Sequence, residues 1–255
     1  MNLNRFFDND SPFGRIVWRC GVVIGCNLLF VLLSIPIVTA GAGYAAMHYT
    51  MLKFMRTKGN IKFFHTWWTG LKGNWKQATA VWLILLALSA LLALELYWCS
   101  QFTGVMAYFK YGIIALALVE LIVGLYTYPT MVAFDAPIKQ LVMYGVMFAF
   151  QRPVNLLLVL FANVMPLVLT YTIPEHMPTW AFLWCMFGFA AVTLFTDKLL
   201  LKQFVPHLPA LDAAGDVIAG ELMNDPNLVL SHAGGLNTDN SDEARDLAEM
   251  TKYGL

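Results

Sequence analysis

Glu120 is the residue whose type and place most demand a chemical explanation. It stands mid-way through an apolar run at about 106–130, where an ionised side chain costs about 2.5–3.5 kcal/mol on insertion scales. Such a carboxyl is protonated, paired, or turned toward a wet cavity. Asn27, His48 and Asn163 are polar residues of other apolar runs and are its candidate partners. The four make a candidate intramembrane polar site with two readings open: passage of an ion or substrate, or a structural hydrogen bond of a protonated acid. No other reactive types form a constellation. The five histidines, 48, 65, 176, 207 and 232, show no metal-ligand spacing. Cys20, Cys26, Cys99 and Cys185 contain no CxxC pair. Walker A, HExxH, GxSxG and dinucleotide-binding patterns are missing from the sequence. No catalytic residue, metal or cofactor is expected, and the chain reads as a non-enzyme.

The elements that must hold these residues are membrane helices. Between Cys20 and Leu52 there is no Lys, Arg, Asp or Glu, and the whole chain is 59% hydrophobic against 13% charged. Crossing about 30 Å of hydrocarbon takes roughly 20 apolar residues. The expected fold is an all-α polytopic membrane bundle of about six transmembrane helices, at 16–35, 40–56, 76–99, 106–130, 154–173 and 179–201. The first two are separated by Ser34-Ile35-Pro36 and the small residues Ala40-Gly41-Ala42-Gly43, which weaken a helix; read as one broken helix they leave five spans. Segment 40–56 is short, and a re-entrant half-helix is open for it. Gly21 and Gly25 form a GxxxG step, and Gly41 and Ala45 a second small-residue step. Both read as packing sites of the first two spans in preference to a dimer interface.

Charge sets the expected orientation. Residues 1–205 carry 14 basic and 7 acidic residues, while 206–255 carry 2 basic and 9 acidic. With six spans, nearly all Lys and Arg of the body fall on one side, so the positive-inside rule puts both termini in the cytoplasm. Residues 1–205 form the membrane domain, and 206–255 an acidic, mostly flexible tail. The lipid bilayer is the first partner, and no nucleic-acid partner is indicated.

Two inner connections have helical patterning. In 61–76, Phe64, Trp68, Leu71 and Trp75 share one face and Lys62, Lys72 and Lys76 the other. That helix either lies in the plane of an anionic leaflet or packs beneath the bundle. In 135–153, Asp135 is the expected N-cap ahead of Pro137, and Ile138, Leu141, Val142, Gly145 and Phe148 share a face.

The pattern Phe6-Phe7-Asp8-Asn9-Asp10-Ser11-Pro12-Phe13-Gly14-Arg15, followed by Ser34-Ile35-Pro36-Ile37-Val38-Thr39-Ala40-Gly41-Ala42, resembles the YesL family of bacterial membrane proteins. Phe63-Phe64, Trp75-Lys76-Gln77-Ala78 and the stretch from Tyr128-Pro129 to Phe134-Asp135 extend the resemblance over roughly 4–204. A bulkier residue than Ala40 is expected at that position of the pattern. The family is one of unknown function, so the resemblance brings no catalytic residues. It implies a multi-pass protein of the bacterial plasma membrane, often encoded near carbohydrate-uptake genes. The expected role is therefore an accessory or scaffold component, with a carbohydrate ABC-transporter permease as partner. A small secondary transporter and a membrane sensor are the alternatives.

Overall fold

In the computed structural model, residues 12–102 and 108–208 are described. The motif ahead of Pro12, the segment 103–107 and the acidic tail past Leu208 lie outside the described residues. The described residues contain helices and no strand, the all-α membrane bundle that their composition requires. The helices are α1 (Pro12–Ser34), α2 (Ala40–Arg56), α3 (Phe63–Ser100), α4 (Phe109–Ala133), α5 (Ile138–Gln151), α6 (Pro153–Thr172), α7 (Met177–Leu183) and α8 (Phe189–Phe204). A π-helical turn, Trp184–Gly188, joins α7 to α8.

Five stretches are long and apolar enough to cross a membrane: Phe13–Ser34, Phe63–Ser100, Phe109–Ala133, Pro153–Thr172 and Pro174–His207. The sixth expected span, α2, has only 17 residues, and 14 of them are buried. It is the centre of the bundle, packed against α1, α3, α4 and α8. His48 and Thr50 are fully buried and Lys53 is 5% exposed, so α2 faces protein on all sides. A helix enclosed in this way does not need an apolar surface for lipid, which explains its weaker hydropathy.

Small residues permit the close approach of α2 and α3. An added Cβ at Gly41 would run into the Cβ of Trp82 and come within 2.7 Å of the Ala78 carbonyl oxygen. At Gly70 it would lie 2.7 Å from the Tyr49 ring. Ala45 and Ala78, both fully buried, sit between these two points. The GxxxG step of α1 divides. Gly25 packs under the Phe63 ring, whereas Gly21 has nothing within 4 Å of an added Cβ.

The separate inner helix at 61–76 and the span at 76–99 are corrected to one helix of 38 residues, α3. No proline interrupts that stretch, and Gly70 is held helical by its packing against Tyr49. At ~1.5 Å per residue α3 is ~57 Å long. The indole Nε1 of Trp82 donates to the Ile37 carbonyl at 2.8 Å, so the α1–α2 turn meets α3 near its midpoint. The second half of α3 continues past that turn and packs with α4.

The opposite end is closed by aromatic residues. Phe134, Phe148 and Phe204 bring together the ends of α4 and α8 and the length of α5, with ring centroids 4.9–5.8 Å apart. Helix α5 turns Leu141, Gly145 and Phe148 inward, with Ile138 and Val142 half-buried beside them. Its N-cap is Pro137, not Asp135; the helix opens two residues later than expected, with no side-chain cap. Proline tolerates that place because the cap region needs no backbone donor from it.

Candidate functional site

The structure divides the four expected polar residues among three places. Asn27 of α1 is fully buried and serves the π-turn. Its Nδ2 donates to the carbonyls of Trp184 and Cys185, each at 2.8 Å, and its Oδ1 accepts from the Ala190 amide at 2.9 Å. A π-turn slips the backbone ladder by one residue and frees polar groups that lipid cannot satisfy. One side-chain amide, offering both donors and an acceptor, closes that gap.

His48 is the centre of the second place. Its Nδ1 lies 2.6 Å from Oδ1 of Asp197 on α8, and both side chains are 0% exposed. Tyr44, one turn earlier on α2, sets its ring edge-on to the imidazole at 4.5 Å. It does the same to Tyr128 of α4 at 4.9 Å and is hydrogen-bonded with Thr193 of α8. Three helices therefore meet around one imidazole–carboxylate pair. Nε2 of His48, Oδ2 of Asp197 and the Tyr128 hydroxyl have no hydrogen-bond partner among the described residues. Asn163 of α6 donates to the Val159 carbonyl at 2.9 Å and, at 3.0 Å, to the hydroxyl of Thr196, the residue that precedes Asp197 on α8.

Glu120 forms the third place. Its Oε1 accepts from the Ser89 hydroxyl of α3 at 2.7 Å, not from Asn27, His48 or Asn163. It lines a groove of about 510 Å3 between α3 and α4, which also includes Tyr44, Trp82 and Tyr128. The groove thus ends on Tyr44, which packs on His48, and on Tyr128, which packs on Tyr44.

Asp197 is the residue that sequence reasoning missed. Lys198 follows it and Lys202 lies one turn on, so the segment reads as the charged end of a span. The signal that would have found it is the stripe Thr193, Thr196, Asp197, Leu200 and Gln203, all buried on one face of α8. Chemically the pair can hold one proton between imidazole and carboxylate, out of contact with water. Among the described residues no three His, Cys, Asp or Glu side chains gather as a metal ion would need.

The segment 61–76 presents three faces, not two. Phe64 (75%), Trp68 (54%) and Trp75 (52%) are exposed. Lys62, Lys72 and Lys76 are exposed next to them, with Lys72 Nζ 5.2 Å from the Trp68 ring centre and Lys76 Nζ 5.8 Å from that of Trp75. Leu71 is half-buried. The buried face is Thr66, Trp67, Gly70 and Asn74. Neither stripe read from the sequence is the one that packs.

A family described as "Protein of unknown function, DUF624" matches residues 23–96. The match runs from α1 through α2 and most of α3, the closely packed centre of the bundle, and the chain is similar to that family there. No curated protein and no solved structure matches the chain.

Proposed function

We propose that the chain is a non-enzymatic accessory or scaffold component of the bacterial plasma membrane, associated with carbohydrate uptake. The resemblance to the YesL family is what supports the carbohydrate association, with a carbohydrate ABC-transporter permease as the partner. The observation that carries the accessory role is the row of exposed aromatics on the first half of α3, Phe64, Trp68 and Trp75, with a lysine over each of the two indoles. Near the same end of the bundle α5 exposes Met143 (60%), Met147 (51%) and Phe150 (67%), one helical stripe of adaptable apolar side chains. Two outward apolar stripes at the basic end of the bundle suit a groove of another membrane protein. The positive-inside rule assigns that end to the cytoplasm.

The test is copurification from native membranes. Replacing Trp68 and Trp75 by Ala and Met147 by Ser should reduce recovery of the permease about tenfold while leaving the membrane level of the protein unchanged. Undiminished recovery would remove the accessory reading. The His48–Asp197 pair favours a second reading, a small proton-coupled transporter, because intramembrane ionisable pairs mark ion pathways. Vesicles containing this protein alone should then take up substrate in response to a proton gradient, which an accessory component does not.

A further inference from the structure

The groove between α3 and α4 has a chemistry of its own. It is bounded by α3 residues from Trp82 to Leu96 and α4 residues from Ile113 to Tyr128. At ~1.5 Å per residue it runs ~20 Å along the helix pair. A volume of about 510 Å3 spread over that length leaves a channel one hydrocarbon chain wide. Leu85, Leu92, Ala117, Leu121 and Leu125 supply apolar walls, which suit such a chain.

Two polar groups interrupt the walls. The Glu120 carboxyl has Ser89 as its one hydrogen-bond partner among the described residues. Roughly two turns farther along α4 is Tyr128, which is 2% exposed and whose hydroxyl has no hydrogen-bond partner among the described residues. Among the described residues no Lys, Arg or His lines the groove, so none of them provides a counter-charge for the carboxyl. A carboxylate between apolar walls gains most from an ammonium group that arrives with the ligand.

We propose that this groove is a binding site for a single-chain lipophilic amine. The ammonium sits at Glu120 and Ser89, and the chain lies along the leucine walls. The site is distinct from the outward faces of α3 and α5, and it stands or falls without a partner protein.

The experiment uses the full chain in nanodiscs of neutral phosphatidylcholine, with radiolabelled dodecylamine as probe and dodecanol as a neutral competitor of equal chain length. One saturable site per chain is expected, with dodecylamine displacing the probe at least tenfold better than dodecanol. Glu120→Gln should weaken binding about tenfold or more, since it removes a charge-assisted hydrogen bond. Ala117→Phe, which fills the groove and leaves Glu120 in place, should abolish binding. Unchanged thermal unfolding of both variants establishes that they fold. Absence of a saturable site overturns the proposal. Equal displacement by dodecanol, with no effect of Glu120→Gln, also overturns it and makes the groove a surface for acyl chains alone.

Discussion

Asn27 and His48 show how differently a buried polar residue behaves when its partners are complete and when they are not. Asn27 uses its donors and its acceptor on the π-turn. Asn27→Leu should lower stability by about 2–3 kcal/mol, because it strands backbone groups inside the bundle. Thermal unfolding in nanodiscs measures this, and an unchanged midpoint would mean that the turn is satisfied in another way. His48 and Asp197 satisfy each other at one atom each and leave Nε2 and Oδ2 open. Removing one partner should cost about 3–5 kcal/mol, since the other is left buried and alone. The double variant His48→Leu with Asp197→Leu should be closer to wild type than either single variant. If it is the worst of the three, the pair contributes more than its own mutual satisfaction, and the transporter reading gains ground.

Among the elements, α2 decides the architecture, and its packing gives a contrast between two glycines. Gly41→Leu should destabilise the bundle by about 1–3 kcal/mol, because Trp82 and the Ala78 backbone occupy the space. Gly21→Leu, at a glycine with nothing near its Cβ position, should be almost neutral in the same unfolding measurement. The α1–α2 turn yields a second test. Ile35 (73%), Ile37 (62%) and Val38 (52%) are exposed around it, yet its backbone is closed by Thr39–Pro36, Ile35–Leu32 and Trp82–Ile37 hydrogen bonds. Apolar side chains outside and satisfied backbone inside are what a turn within hydrocarbon requires. In a variant with the native cysteines replaced by alanine, Ile37→Cys should resist a membrane-impermeant maleimide that labels Gln101→Cys. Labelling at both positions would bring the turn to the outer surface and make α1 and α2 full spans.

These elements also show what the sequence could disclose. The apolar runs of α1, α4 and α6 face lipid along most of their length, so hydropathy finds them directly. Helix α2 faces protein, so hydropathy describes it poorly, and its polar residues look like surface when they are core. In α3 the charges of Lys72 and Lys76 resemble a helix boundary, but no residue there breaks a helix. The partners of Asn27 and His48 come from α7–α8, more than 130 residues away, and no local pattern carries that pairing.

At the scale of the whole molecule, the buried centre and the exposed faces have separate tasks. Contacts of α2 with α1, α3, α4 and α8 hold the bundle together, and the match to residues 23–96 falls on the first three helices of it. The outward stripes of α3 and α5 are exposed, and they are the faces on which docking of another protein is proposed. The most direct measurement places a photo-crosslinking amino acid at Trp68, at Met147 and, as a lipid-facing control, at Leu91, in native membranes. Protein adducts at Trp68 and Met147 to one carbohydrate-transporter permease, with none at Leu91, are the predicted result. Lipid adducts alone at all three positions would contradict the accessory role.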